Sequence, residues 1–409
     1  MNNKKFLTSI FLTAFIDMLG VGILIPIIPD IFLSANHLHF SGLNSPSEYK
    51  WAYCLLMASF SMMVFVGAPI LGTLSDRYGR KKIIQSSLLG QVIGYAFFAL
   101  ALKTENIYLL FGSRLFAGFF AGSLSVLFSA ISDISTQEDK PKNFGLVGMA
   151  FGLGFVLGPA LGVILSLEKY CSLFTIYTPF IFTSCLALGN FFFVNRTFVE
   201  TCQSFQQQPI TFLKGVQNIY KAFTSNHLKL LFSISFFNTL GFAFFTQFFS
   251  VFMIQKFQTN REVNGYIFLW VGIWIVITQG VILRRISGKI SPSSIINKTM
   301  LTMGLGIIAM VFPNQIWGIL ICNLVVAISQ GLNSPNLLTL VSRTALPEEQ
   351  GEILGINQSM QALGNIIPPL IVGFFGENLQ SFPIIAAGGF IIIAWAIFVL
   401  FYRPSELSK

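Results

Sequence analysis

Long apolar runs, separated by short polar connections, follow one another along the whole chain. A helix needs about 20 apolar residues to cross the hydrocarbon core of a bilayer. Twelve runs reach about that length, near residues 6–33, 50–74, 81–102, 106–134, 142–167, 172–195, 227–256, 263–286, 293–312, 314–343, 351–376 and 380–402. The pattern predicts an all-α polytopic membrane protein with twelve transmembrane helices. The first run has two lysines before it but no small-residue cleavage site, so we interpret it as a span and not as a signal peptide.

One connection is longer than the others, and it divides the runs six and six. We therefore predict an N-terminal six-helix bundle at 1–195, a cytoplasmic linker at 196–226 and a C-terminal six-helix bundle at 227–409. Composition agrees, since 54% of the residues are hydrophobic and only 10% are charged. Soluble domains carry roughly 25% charged residues, so the composition excludes a soluble protein.

The two halves also resemble each other in sequence. At a shift of 210 residues, a stretch of the first half falls on a matching stretch of the second, with Glu138, Gly145, Gly154 and Pro159 aligned on Glu348, Gly355, Gly364 and Pro369. Two homologous six-helix halves around a pseudo-two-fold axis place a substrate cavity between them, near the bilayer midplane. The repeat therefore favours transport of a small molecule.

The formal net charge of +9 reflects membrane orientation. With the N-terminus inside, eighteen Lys and Arg residues fall on the cytoplasmic side, and five fall on the other, namely Lys50, Lys103, Lys169, Lys256 and Arg261. This positive-inside bias predicts cytoplasmic termini. We expect the lipid bilayer as a partner, no nucleic acid and a monomer. The five scattered cysteines predict neither a disulfide frame nor a metal site.

Two ionisable residues lie deep inside predicted spans, which makes them functional candidates. Asp17 lies in the first span and Arg114 in the fourth. Their depths differ by about 8 Å at 1.5 Å of rise per residue, which a long arginine side chain can bridge. A buried carboxylate beside a cation changes its proton affinity when the partner moves. Proton coupling is therefore one hypothesis for this pair, and a static polar contact that locks two helices is the other.

The turn between the second and third spans reads GTLSDRYGRKK, from Gly72 to Lys82. It resembles the loop 2–3 signature of the major facilitator superfamily over the whole motif. The resemblance implies a gating turn built from Gly72, Asp76, Arg77, Gly79, Arg80 and Lys81. We expect Asp76 to accept backbone N–H groups at the start of the eleventh span, and Arg77 and Arg80 to bind nearby acids such as Asp133.

Two more segments resemble signatures of this superfamily. Arg114 and Gly118 match its fourth-helix signature, in which the arginine is linked to proton coupling. The fifth span contains GLGFVLGPALG, with Gly154, Gly158, Pro159 and Gly162, which resembles the antiporter signature of drug/proton exporters. Glycines four apart also let another helix approach closely. Close packing alone is the alternative interpretation.

The resemblance covers nearly the whole chain, and its nearest branch is the twelve-helix, tetracycline-exporter-like drug:H⁺ antiporters of bacterial inner membranes. Three positions depart from that branch. Val163 replaces a second glycine, and Ile275 and Met303 stand where tetracycline exporters carry a histidine and an aspartate. We therefore do not expect tetracycline as the substrate.

Amides inside apolar spans are candidates for the substrate cavity: Gln247, Gln279, Gln330, Asn333, Gln358, Gln361 and Asn365. Aromatic residues make up 15% of the chain, which suits a cavity for an amphipathic organic molecule. The leading hypothesis is a proton-coupled exporter without cofactor or metal. An importer of a metabolite or siderophore, proton-coupled or facilitated, and a non-transporting sensor are the alternatives. An enzyme is not expected, because none of the three histidines lies mid-span.

Overall fold

The computed structural model describes residues 3–33, 39–135, 140–202, 217, 220, 228–286, 289–343, 350–374 and 381–403. Within them the chain forms two compact units, Met1–Gln217 and Asn218–Lys409. The boundary between the units falls inside the segment predicted as a linker.

The described part of the first unit forms seven helices. They are α1 (Asn3–Leu33), α2 (Pro46–Tyr78), α3 (Arg80–Lys103), α4 (Ile107–Ala121), α5 (Leu124–Ile134), α6 (Lys140–Ser166) and α7 (Thr178–Thr197). Ser45 begins α2 with a reciprocal capping box, in which its side chain accepts from the N–H of Glu48 and the Glu48 carboxylate accepts from the N–H of Ser45. Such a box satisfies two of the N–H groups that a helix start leaves open.

Another seven helices are described in the second unit. They are α8 (Lys229–Phe257), α9 (Arg261–Ile277), α10 (Leu283–Ile286), α11 (Pro292–Ala309), α12 (Ile316–Arg343), α13 (Gln350–Phe374) and α14 (Phe382–Phe401). A π-helical turn, Thr278–Ile282, joins α9 to α10.

Each of the twelve apolar runs coincides with a helical segment. The helices α4 and α5 share one run, and α9, the π-turn and α10 share another. In the described part of the chain, ten segments are long and apolar enough to cross a membrane. The predicted class, an all-α integral membrane protein, is confirmed.

The two units repeat one packing scheme. In the first unit α1 packs on α6 and α7, α3 packs on α4 and α7, and α2 packs on α4. In the second unit α8 packs on α13 and α14, α11 packs on α12 and α14, and α9 packs on α12. When the six spans of each unit are numbered in chain order, the same numbered pairs pack together in both units.

One pair of glycines, Gly154 and Gly364, belongs to both the sequence repeat and the packing repeat. A Cβ on Gly154 of α6 would touch Met18 and Leu19 of α1, and a Cβ on Gly364 of α13 would touch Thr239 and Leu240 of α8. The glycines that align in sequence therefore make the same close helix contact in each unit.

Candidate functional site

A stripe of polar residues runs along α1. Ser9, Thr13 and Asp17 are spaced four apart, so they share one face of the helix. The Ser9 hydroxyl lies 2.6 Å from the Thr197 hydroxyl of α7, and Asn190 of α7 donates to the Thr13 hydroxyl at 3.0 Å. Asp17 is the third residue of this stripe. Its four-residue spacing from Thr13, and that of Thr13 from Ser9, is visible in the sequence.

Asp17 is almost completely buried. Its exposed fraction is 6%, and those of Gln91 and Tyr95 on α3 are 3% and 6%. Gln91 interacts with the Asp17 carboxylate, although no bond to either carboxylate oxygen reaches ordinary hydrogen-bond geometry. A Cβ on Gly20 would collide with the Tyr95 hydroxyl, which shows that the Tyr95 side chain reaches α1.

Arg114 of α4 is equally buried, with an exposed fraction of 4%. Its guanidinium carbon lies 4.0 Å from the centroid of the Phe60 ring, a cation–π contact. Tyr95 lies within electrostatic reach of both Arg114 and Asp17. The four buried side chains Asp17, Gln91, Tyr95 and Arg114 therefore form one cluster, which we call the polar cluster.

The direct Asp17–Arg114 contact allowed by their depths is not formed. The ion pairs seen among the described residues are Arg80–Asp76 and Arg80–Asp133. Helical rise gives depth but not the direction in which a side chain leaves its helix. Two members of the cluster on α3, Gln91 and Tyr95, were missed because uncharged polar residues inside an apolar span are common.

The predicted antiporter segment of α6 lies directly against the part of α1 that carries Asp17. A Cβ on Gly154 would lie 2.8 Å from the Phe15 carbonyl oxygen, and one on Gly158 would lie 2.7 Å from the Gly22 Cα. A Cβ on Gly162 would lie 2.9 Å from the Ile23 carbonyl oxygen. These three glycines, together with Pro159 against Gly22, form a surface that we call the glycine face.

Arg80 is the centre of the turn between α2 and α3. Its guanidinium pairs with Asp76, donates to the Ser75 hydroxyl and donates to Asp133 of α5 at 3.2 Å. Thr201, which follows α7, donates to the same Asp133 oxygen at 3.0 Å. Arg80 therefore joins α2, α5 and the beginning of the linker.

The other predicted members of the turn have simpler surroundings. Arg77 is exposed and stacks at 5.3 Å on the ring of Tyr78, so it does not bind Asp133. Gly72 has room for a Cβ, while the backbone of Gly79 has a φ of +98°. Asp76 pairs with Arg80, and its expected contact with the start of the eleventh span, which belongs to the second unit, stays a prediction.

Two of the cavity amides join helices inside the second unit. Gln247 of α8 donates to the Asn365 carbonyl of α13 at 3.1 Å. Asn333 of α12, which is fully buried, donates to Asn238 of α8 at 2.9 Å.

Gln279 lies in the π-turn, and Gln330 has a buried side-chain oxygen without a hydrogen-bond partner. Gln358, Gln361 and Asn365 follow one face of α13, since they are three and four residues apart.

The buried charges that the structure describes lie in the first unit. Of the charged residues that the structure describes, Asp17, Arg80 and Arg114 are buried, and all three belong to the first unit. Since Leu19 and Leu240 make the same glycine contact, Asn238 is the counterpart of Asp17. Ile275 and Met303 are both buried apolar residues.

Comparison with known proteins identifies the family. A sequence model of the Major Facilitator Superfamily matches residues 10–369 and 295–409. The Tetracycline resistance protein, class C, of Escherichia coli is 26% identical over 373 residues, which cover 91% of this chain and 90% of that protein. The Multidrug resistance protein 1 of Bacillus subtilis (strain 168) is 27% identical over 410 residues, which cover 100% of this chain and 99% of that protein. The Quinolone resistance protein NorA of Staphylococcus aureus (strain COL) is 27% identical over 407 residues, which cover 98% of this chain and 96% of that protein.

A solved structure has the same fold. The crystal structure of the human organic anion transporter MFSD10 (TETRAN) superimposes with a TM-score of 0.76 at 19% identity, and 100% of each chain is covered.

Proposed function

The chain belongs to the Major Facilitator Superfamily, and on that premise we propose that it is a proton-coupled exporter of small amphipathic organic molecules. The relatives at 26–27% identity are named for resistance to tetracycline, quinolones and several drugs. These relatives support export of an organic molecule by this chain. We do not propose tetracycline as the substrate, because Ile275 and Met303, both buried, stand where tetracycline exporters carry a histidine and an aspartate.

The observation that carries the proposal is the position of Asp17. It is the buried carboxylate of the described residues, it lies in the polar cluster with Arg114, and α1 carries it along the glycine face of α6. A carboxylate whose water exposure and distance to a cation differ between two conformations takes up a proton in one and releases it in the other. Movement of α1 against α6 would supply that difference.

The cytoplasmic turn acts as the gate in this proposal. Arg80 joins Asp76 of α2 to Asp133 of α5 and lies about three turns along α3 from Gln91 of the polar cluster. These residues therefore stabilise one state of the transport cycle without touching the ligand. The amides Gln247, Gln279, Gln330, Gln358, Gln361 and Asn365 supply hydrogen bonds to the transported molecule, and Asn333 holds α12 to α8.

The protein is an integral membrane protein, and we place it in a bacterial inner membrane with both termini and the 196–226 linker in the cytoplasm. The support is the excess of Lys and Arg on that side.

The test uses purified protein in proteoliposomes with an imposed pH gradient and a panel of fluorescent amphipathic cations, anions and neutral molecules. We expect ligand and protons to move in opposite directions. Asp17→Asn should abolish pH-driven transport while leaving ligand binding measurable. Asp30→Asn, on the same helix but outside the polar cluster, is the matched control and should transport like the original chain.

The other results have definite meanings. Ligand and proton movement in the same direction would establish the importer instead. Undiminished proton-driven transport by Asp17→Asn would remove Asp17 from the mechanism.

A further inference from the structure

The helix α3 begins without a capping side chain of its own. Its N-cap residue is Gly79, which has no side chain to offer the first N–H groups of the helix. Helix starts leave four N–H groups without an intrahelical partner, and an oxygen-bearing side chain normally satisfies some of them.

Glu200, which lies three residues beyond the end of α7, satisfies these groups from a distant part of the chain. One carboxylate oxygen accepts from the N–H of Arg80 at 2.8 Å, and the other accepts from the N–H of Lys81 at 3.2 Å. The first oxygen also accepts from the N–H of Thr201 and the N–H of Cys202, both at 3.0 Å. A single carboxylate therefore binds the start of α3 and the start of the linker at once.

Gly79 is required by this arrangement. Its φ of +98° lies in the left-handed region that favours glycine, and a Cβ there would collide with the Glu200 carboxylate. Gly72, at the other end of the same motif, has ordinary helical surroundings, and a Cβ there would lie 3.9 Å from the Ser125 hydroxyl.

The residues around Glu200 are fixed on both sides. Phe198 is buried, and its ring lies 4.7 Å from the ring of Phe6 on α1. Thr201 is buried and donates to Asp133, while the Cys202 thiol points at the Asp76 carbonyl oxygen at 3.8 Å. We call residues 198–202 the linker anchor.

A second attachment lies one turn along α3. The Lys81 ammonium donates to the Asn195 carbonyl at 2.9 Å, and the Gln85 amide donates to the Asn195 side-chain oxygen at 2.9 Å. The end of α7 therefore remains beside α3 even where the Glu200 bonds are removed, so loss of those bonds should loosen the anchor without unfolding the unit.

We propose that Glu200 is a positioning residue of the gate, and that the linker anchor is a working part of the cytoplasmic turn. The carboxylate holds the backbone of Arg80, the same residue whose guanidinium binds Asp76 and Asp133. Movement of the gate therefore moves the origin of the linker. The consequence for transport rests on the proposed function, whereas the docking of the anchor does not.

Cys202 provides a reporter for the docking. In a variant whose other four cysteines are serine, the alkylation rate of Cys202 by a small membrane-impermeant thiol reagent is measured in inside-out membranes. Glu200→Ala removes the cap and should raise the rate roughly 2–30-fold, the shift expected from loss of a capping side chain. Glu200→Gln retains an acceptor but loses the charge, so it should give a smaller increase. The exposed Glu168→Gln is the control and should change nothing.

Gly79→Ala tests the same contact from the other side. It should raise the Cys202 rate as Glu200→Ala does, while Gly72→Ala should not. In proteoliposomes, Glu200→Ala should lower the maximal transport rate with KM unchanged, because the gate is altered and the ligand site is not. Glu200→Gln should restore part of that rate.

Two results would overturn the proposal. An unchanged alkylation rate in both Glu200 variants would mean that the carboxylate does not hold the anchor. A raised alkylation rate with an unaltered maximal transport rate would mean that the cap serves folding only. If the original chain shows no proton-driven export, the proposed function fails, but the alkylation result still decides whether the anchor docks.

Discussion

Replacement of Gly158 by alanine should separate α1 from α6 at Leu19 and Gly22, about one turn along α1 from Asp17. An ideal Cβ at this position would lie 2.7 Å from the Gly22 Cα and 2.7 Å from the Leu19 carbonyl oxygen. Carbon atoms in contact prefer about 3.5–4.0 Å, so the helices must move apart by about 1 Å. Both contacting atoms belong to the backbone of α1, so no side-chain rotation can relieve the clash.

The size of the effect follows from a matched pair of variants. Gly148 lies on the same helix, and a Cβ there would meet nothing within 4 Å. Both substitutions gain about 0.5–1 kcal/mol from the better helix propensity of alanine. Overpacking costs about 1–3 kcal/mol and applies to Gly158→Ala only. The difference between the two variants should therefore equal the overpacking cost, about 1–3 kcal/mol, with Gly148→Ala the more stable.

Thermal unfolding of the two variants in the same detergent measures the stability difference, and proton-driven transport measures its consequence for Asp17. A displacement of about 1 Å in a reacting group can lower a rate about 100-fold, so Gly158→Ala should transport far more slowly than Gly148→Ala. Equal melting and equal transport would refute the reasoning, because they would show that the glycine face does not fix the position of α1. Slower transport with equal melting would show that the face is needed for helix movement and not for stability.

Two predictions concern the gate and the orientation. Asp76→Asn should lower turnover and raise the inward-open population, with the ligand affinity of each state preserved, because a partly exposed ion pair contributes up to about 1 kcal/mol. Spin-label distances between the cytoplasmic ends of the two halves measure the populations, and Arg77→Gln is the matched control. Unchanged distances together with lost binding would assign the turn to the substrate site. Single cysteines at Phe205 and Lys103 test the orientation, since an impermeant reagent added outside should label position 103 alone, and labelling at 205 alone would reverse the topology.

The all-α class and the positions of the apolar helices could be predicted from the sequence. Each span must satisfy its own backbone hydrogen bonds inside the bilayer and must therefore be an apolar helix of sufficient length. The repeat was also readable, since glycines at close helix contacts, such as Gly154 and Gly364, tolerate few replacements. Asp17 and Arg114 stood out for a similar reason, because a charge inside an apolar run is costly and rare.

Tertiary structure decided which side chains meet. The polar cluster contains Gln91 and Tyr95 because these two side chains of α3 reach α1. The depths of Asp17 and Arg114 could not reveal that the two do not touch. Glu200 was unremarkable in the sequence, since an acid after a helix is ordinary on a cytoplasmic surface. Its role depends on 120 residues of intervening chain returning to Gly79 and Arg80. Such a contact depends on the packing of α7 beside α3, which no local pattern of residues determines.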